Sequence, residues 1–419
     1  MSSRRYWHFH YGKIQTVVLG PHLRAMEMAI TARDCGLEAT LVVDDPTGVQ
    51  IPGVRQVARG SLSLNEIQPG DAVVVSDAAA ARIPWQLARK GLAFHADSYG
   101  MALPELVKIY PSWTARHAWK DRIRRCLKFG FISRYAEKIY LSHDAQLFLL
   151  AGTVFSGRTT TDSSTADSLA EKVLYIPMGV SSPSTSADLP NPYPESIRSR
   201  RIFLWGGGIW AWFDTPTLIH AFDRIRDTDA VLFFISGQDH SGLAIHQKAL
   251  ESTRTLAREM GLLGNNVFFN DRSVGPSDLP AYLQHAWSGV MANPRCLEAE
   301  SSWRTRYLDL LGAGLPLVVS GRDPLALRME SGGAALLSSA GDINGLASNL
   351  RKLTQDSSLK SQMGAAAKSI GSKMHWNTTL APLRDVLQDP NSFQVNANRP
   401  PLNWLLRYAF ASITPKWNS

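Results

Sequence analysis

Apolar residues in this chain come in short runs separated by longer amphipathic stretches, as strands alternating with helices require. Residues 13–19 (KIQTVVL) form the first run, Gly20-Pro21 breaks it, and residues 23–35 (LRAMEMAITARDC) carry apolar side chains at helical spacing. A second run follows at residues 39–43 (ATLVV). Strand, turn, helix and strand within about 30 residues make a βαβ unit, whose crossover demands a parallel sheet covered by helices. Residues 72–76 (AVVVS) and 92–95 (LAFH) continue the strand series.

The pattern pauses and restarts. Residues 181–198 hold four Pro and five Ser without hydrophobic periodicity and read as an exposed connector. Beyond it, residues 202–205 (IFLW) run into Gly206-Gly207-Gly208, and a helical stretch from Pro216 to Ile225 leads to a strand at 230–235. Residues 266–269, 288–292 and 315–319 supply further strands. The expected fold class is therefore α/β, with two Rossmann-like domains facing each other across a cleft, where open α/β sheets bind ligands. The boundaries are 1–182 for the first domain, 183–198 for the linker, 199–374 for the second domain and 375–419 for closing helices and a tail.

Composition narrows the partners. With 419 residues, 44% hydrophobic and 19% charged, the chain has ample core and is neither a disordered tail nor a fibrous protein. Its 44 Lys and Arg against 36 Asp and Glu leave a net charge of +8, which favours phosphates, nucleic acid or anionic lipid. No finger, RNP or helix-turn-helix signature accompanies that charge, so nucleic acid is not an expected partner. Cys35, Cys126 and Cys296 are far apart and in no CxxC spacing, which suggests neither a disulfide framework nor a zinc cluster and fits a cytoplasmic protein. The basic opening MSSRRYWHFHYGK lacks the apolar core of a signal peptide, and no stretch reaches the roughly 18 to 20 apolar residues that span a bilayer.

Contact with a membrane would be peripheral, at its inner face. Residues 113–131 mix Trp113, Trp119, Phe129 and Phe131 with Arg116, Lys120, Arg122, Arg124, Arg125 and Lys128. Either this segment lies on an anionic bilayer or it is a solvated helix face. The apolar run 402–417 is a second candidate, with a packed tail as its alternative.

Two stretches carry candidate chemistry. Gly206, Gly207 and Gly208, after a strand and ahead of a helix, let bare backbone approach a ligand, with the helix N-terminus offering N–H groups to an anion. The alternative is a tight turn and nothing more. GxGxxG spacing and a Walker lysine are both absent, so nicotinamide and P-loop chemistry are disfavoured. Residues 294–330 place Glu298, Glu300 and Asp309 around Arg304 and Arg306. A carboxylate there suits a ribose diol and a guanidinium suits a pyrophosphate, although helix ion pairs and solvated charge account for the same residues.

The stretch Asp309-Leu-Leu-Gly-Ala-Gly-Leu-Pro, the Glu298 to Asp309 segment with its Arg304-Thr305-Arg306, and Leu204-Trp205-Gly206-Gly207-Gly208-Ile209-Trp210 together resemble GT-B glycosyltransferases. The likeness is to the retaining glycosyltransferase family 4 and its branch in polysaccharide and O-antigen loci, and spans Lys13 to about Leu387. It implies sugar transfer from a nucleotide diphosphate sugar to a hydroxyl of a glycan or lipid-linked acceptor, with retention, no cofactor and no metal. Asp309 would bind the donor ribose and Glu298 the donor sugar. Position 301, eight before Asp309, is Ser301, so either Glu298 or Glu300 fills the first acidic position. Relatives carry an Arg and a Lys near the glycine turn, yet neither type occurs from Ile202 to Asp223, which leaves the diphosphate to backbone amides with Arg304 or Arg306.

In the first domain the resemblance places Gly20 and Arg24 on a loop near the diphosphate, and His95, followed by Asp97, at the donor sugar; Glu105 is a weaker acceptor contact. Arg24 pairing on its helix and His95 as a satisfied structural residue are the alternatives. Two other function classes remain open at this stage: a sugar-nucleotide epimerase or hydrolase of the same fold, and a non-catalytic binding or scaffold protein.

Overall fold

Runs such as Ala-Val-Val-Val-Ser are buried at every position, as strands covered by helices on both faces must be. The computed structural model describes residues 4–14, 20–76, 81–100, 116–156, 164–181, 188–237, 244–271, 274–275, 277–395, 399–401 and 403–404. The chain divides into two units, Met1–Met178 with Thr379–Ser419, and Gly179–Thr378.

The first unit contains β1 (Arg5–Phe9), β2 (Glu38–Val43), β3 (Arg55–Ala58), β4 (Ala72–Ser76), β5 (His95–Asp97), β6 (Ile139–Leu141) and β7 (Val173–Tyr175). They form one parallel sheet in the order β3-β2-β1-β4-β5-β6-β7. The strand that starts the sheet is thus Arg-Tyr-Trp-His-Phe at Arg5–Phe9, not the expected 13–19. Lys13 makes only an isolated bridge to Asp45, and residues 15–19 lie outside the described residues. The sequence disguises β1 because a histidine sits inside it and two arginines head it, yet aromatic residues suit a pleated, covered surface. The strand expected at 92–95 begins only at His95.

The second unit contains β8 (Arg201–Trp205), β9 (Ala230–Phe234), β10 (Val267–Phe269), β11 (Ser288–Ala292), β12 (Leu317–Ser320) and β13 (Ala335–Ser338), ordered β10-β9-β8-β11-β12-β13, all parallel. Residues 188–198 of the expected connector pack into this unit. Tyr193 is fully buried there and donates its hydroxyl to the Tyr282 carbonyl at 2.9 Å.

Strand order reverses between β1 and β4 in one sheet and between β8 and β11 in the other. Such switch points leave a crevice at the carboxyl ends of the strands, where ligands bind. In the second unit that crevice falls at Gly206–Gly208 and at the segment after Ala292, which are the two stretches singled out in the sequence.

The helix α1 (Gly20–Asp34) follows β1, α2 (Arg82–Arg89) follows β4, and α3 (Arg116–Tyr135) contains the basic aromatic segment. Phe129 and Phe131 are buried in the hydrophobic core with Phe94, Ile139 and Leu150, so they are not available to a bilayer. Trp113 and the side chain of Trp119 lie outside the described residues, as do Glu105 and nearly all of the tail 402–417. Trp404, which is described, packs on Phe131 at 4.4 Å between ring centroids. Among the described residues no helix is long and apolar enough to cross a membrane.

Candidate functional site

The glycine turn begins where β8 ends. Gly207 has φ +123°, a conformation open to glycine at little cost, and a Cβ there would lie 3.5 Å from the Arg306 guanidinium carbon. A Cβ on Gly208 would meet the Trp210 ring at 3.1 Å, so Gly208 is favoured by the ring over it and Gly207 by its backbone conformation. Among the described residues the amides of Gly207 and Gly208 have no backbone acceptor. The following helix, α4 (Thr215–Arg224), starts one residue ahead of the expected Pro216, and Asp214 caps it by accepting from the Thr217 amide at 3.2 Å. A carboxylate already occupies that N-terminus, so the expected helix-end anion site is withdrawn, and the bare turn remains.

Two short helices, α5 (Leu297–Ser301) and α6 (Arg306–Gly312), bring in the charged residues. Glu298 is 2% and Arg304 6% exposed, and they form a fork-on-fork pair with both N···O distances at 2.7 Å. Ser302 adds a third hydrogen bond to Glu298 at 2.8 Å. This arrangement engages the Glu298 carboxylate and both terminal nitrogens of Arg304, leaving only the buried Arg304 Nε without a partner among the described residues, so neither side chain is exposed for a donor sugar or a phosphate. Glu300, by contrast, is exposed and has no hydrogen-bond or ion-pair partner among the described residues.

Arg306 behaves differently from Arg304. It makes no ion pair among the described residues, donates to the Gly208 carbonyl at 3.1 Å and lies over the rings of Phe213 (4.3 Å) and Trp205 (5.5 Å). Burial, and then the neighbouring Arg304 charge, bring its pKa down from the guanidinium range to about 9. A cation held against a glycine turn with a depressed pKa lacks its anion. Next to it, Tyr307 anchors α6 by donating to Asp323 at 2.9 Å, and Asp323 in turn caps α7 (Pro324–Ser331).

Asp309 presents an apparent conflict. Its surface is open to water, yet surrounding protein mass removes enough solvation to push its pKa up to about 6. A carboxylate set in a concavity satisfies both observations, and the water it retains makes the shift smaller in effect than full burial would. No hydrogen bond or ion pair among the described residues engages it. The second unit therefore carries three charged groups without an ion-pair partner among the described residues, Arg306 on the glycine turn and Asp309 and Glu300 on the two short helices.

The first unit treats the predicted residues in the opposite way. Gly20 to Arg24, expected as a loop, is the opening of α1. Arg24 is fully buried, pairs with Asp97 at 2.8 Å and donates to the Ile176 carbonyl at 2.7 Å. Asp97 is equally enclosed, so neither residue is exposed for phosphate binding or catalysis. His95 bonds Tyr140 through Nδ1 at 2.6 Å and the Ser392 carbonyl through Nε2 at 3.0 Å, and its ring stacks on Phe393 at 4.1 Å. With both nitrogens engaged and burial holding its pKa at about 3, His95 is a neutral structural residue.

At the switch point of this sheet the sequence reading missed His8, His10, His22 and Ser76. Ser76 Oγ lies 3.0 Å from both His8 Nε2 and His10 Nδ1. The signal was available in the alternation Tyr-Trp-His-Phe-His, which was obscured when β1 was placed too late. Among the described residues no group of three or more His, Cys, Asp or Glu is placed to hold a metal ion.

No family model matches the chain, and no curated protein matches it. Solved structures do. The chain is similar to sucrose-phosphate synthase from Thermosynechococcus elongatus, with a TM-score of 0.68 and 15% identity over 91% of this chain and 98% of that one. It is similar to an UDP-forming α,α-trehalose-phosphate synthase from Burkholderia xenovorans, at TM-score 0.67 and 11% identity over 92% and 99%. HepE from Anabaena, in complex with UDP and glucose, aligns at TM-score 0.63 and 13% identity over 92% and 99%. At such identities the likeness speaks for architecture: this chain has the GT-B fold, built from two Rossmann-like units.

Proposed function

We propose that the protein is a glycosyltransferase whose second unit binds the diphosphate of a nucleotide sugar at the Gly206–Gly208 turn. The observation that carries this reading is Arg306, a cation without a carboxylate partner among the described residues, lying on that turn. HepE, of the same fold, is known with UDP and with UDP-glucose, which supports a nucleotide sugar as the ligand here. The amides of Gly207 and Gly208 and the Arg306 guanidinium face the two phosphates, Asp309 accepts hydrogen bonds from the ribose diol, and Glu300 takes the place next to the donor sugar that Glu298 cannot fill.

The barrier falls because charge develops on the departing diphosphate, and fixed donors in a poorly solvated crevice stabilise it at the moment it forms. The bond from the anomeric carbon to the diphosphate oxygen breaks while an acceptor hydroxyl oxygen bonds the same carbon on the same face. The acceptor's proton passes to the leaving phosphate oxygen, so retention needs no protein base and no metal. A hydroxyl on a glycan or lipid-linked acceptor, in cell-surface polysaccharide synthesis, is the acceptor class in this proposal, and the inner membrane face is the place of work. Incubation with a panel of nucleotide sugars and simple glycoside acceptors, read by proton NMR of the anomeric signal, tests it. A retained-configuration product is expected; failure of UDP, GDP and ADP to bind at all overturns the reading.

A further inference from the structure

A separate cavity of about 510 Å³ opens in the first unit, between residues 59–65 after β3 and one face of α2. That volume suits a small organic ligand. Its wall carries Arg59, Arg82, Arg89 and Lys90, and no carboxylate is among the lining residues. Arg59 is neutralised by Asp44 at 2.6 Å, whereas Arg82 makes no ion pair among the described residues. Lys90 bonds Asn65 and Arg89 donates to the Pro400 carbonyl at 3.2 Å, contacts that leave their positive charges unbalanced. The helical spacing of Arg82, Gln86 and Arg89 puts them on one side of α2, so the cations share a rim.

The floor is of another character. Leu62, Leu64 and Ile83 line it, together with the Trp85 ring. The Trp85 indole N–H is shut off from solvent, with no hydrogen-bond acceptor among the described residues, so the residue offers the cavity its ring. Cations therefore dominate the polar wall: guanidinium and ammonium. The ligand that complements them is acceptor-rich and anionic at one end and apolar at the other.

We propose that this cavity is a binding site for a phosphate-bearing amphiphile, its phosphate held by Arg82 and Lys90 and its apolar portion laid on Leu62, Leu64, Ile83 and the Trp85 ring. The site is built wholly from the first unit and does not depend on the transfer reaction. Its ligand's phosphate comes from a soluble ester or from a lipid headgroup, the chemistry being the same.

Calorimetric titration of the full chain with n-octyl phosphate tests the inference, with inorganic phosphate alongside. Saturable binding at least tenfold tighter than inorganic phosphate is expected. Arg82→Glu with Lys90→Glu weakens it at least tenfold, and Trp85→Ala, which removes the ring from the apolar floor, weakens it three- to tenfold. Thermal melting shows whether each variant is folded, and because the two cations are exposed, the double variant is expected to melt like the parent. Co-sedimentation with phosphatidylglycerol vesicles, abolished by the double variant, assigns the source as a lipid headgroup, and octyl phosphate binding without co-sedimentation assigns a soluble ester; both support the shared chemistry. No saturable octyl phosphate binding, or binding unchanged in the double variant, overturns it. UDP titrated into the same samples reports the second unit separately, so UDP binding with no octyl phosphate binding sinks this site alone and the reverse sinks the transfer reading alone.

Discussion

Replacing Arg306 with Met keeps most of the side-chain volume over Phe213 and removes the charge. One of its N–H groups is spent on the Gly208 carbonyl, and its remaining donors have no carboxylate to serve among the described residues. Hydrogen bonds to charged groups contribute about 1.5–3 kcal/mol each. Loss of one such net contact to a phosphate therefore weakens UDP binding by roughly 10- to 150-fold, at 1.4 kcal/mol per factor of ten. Uridine, which lacks the phosphates, should bind parent and variant alike, and isothermal titration of both ligands isolates the effect. The pH dependence follows from the depressed pKa. Below about 9 the folded protein carries this charge at a cost, and the cost is relieved as pH rises through about 9. Arg306→Met should accordingly leave the unliganded protein at least as stable as the parent at pH 7, while parent affinity for UDP declines above about pH 9. An affinity within threefold of the parent's, in a folded variant, refutes the assignment of Arg306 to the diphosphate.

Other substitutions separate structural from binding roles. Glu298→Ala strands a buried Arg304 and should cost about 3–5 kcal/mol in urea unfolding, with Glu298→Ala/Arg304→Met regaining much of it. Asp309→Asn should weaken UDP binding about tenfold, the equivalent of 1.4 kcal/mol, and abolish the loss of affinity that the parent shows as pH falls through about 6. The same change removes a carboxylate whose ionised form is disfavoured in the fold, a cost the parent sheds as pH drops through about 6, so the variant's melting temperature at pH 7 should not fall. His95→Ala should cost about 2–5 kcal/mol of stability with activity per folded molecule retained, because its ring fills a packed site instead of a crevice. His8 and His95 remain neutral in the fold down to about pH 4 and about pH 3. The unfolded chain takes up their protons first, so stability should fall below about pH 6.5 by up to roughly 1.4 kcal/mol per pH unit for each, measurable by melting across an acid series.

Covered parallel strands were the most legible part of the sequence. Ala72–Ser76 and Ser288–Ala292 are uninterrupted runs of small and apolar residues, and they fold where such runs predict. Legibility failed where a strand's residues resemble a loop's. Arg5–Phe9 is central in its sheet although it includes His8, because His8 finds Tyr6 and Ser76 as partners and loses its charge. Val173–Tyr175 and Ala335–Ser338 are only partly buried along their length and lack the fully covered run that makes a strand stand out.

The candidate site shows a sharper limit, since residue type announces chemistry while partners decide whether it is free. Glu298, Arg304, Arg24, Asp97 and His95 are each plausible ligand-binding residues by type, and each is drawn into a buried pair or hydrogen bond within the protein. Buried charge is tolerable only when paired, and the chain spends these residues in that way. What remains for a ligand is the remainder after internal pairing. Of the two arginines, Arg304 takes the Glu298 carboxylate, while Arg306, whose pKa burial and then the Arg304 charge depress, turns toward the glycine backbone. The buried Glu298–Arg304 pair thus does more than hold α5 to its neighbour: by claiming the carboxylate it leaves one cation over the turn with an appetite for an anion.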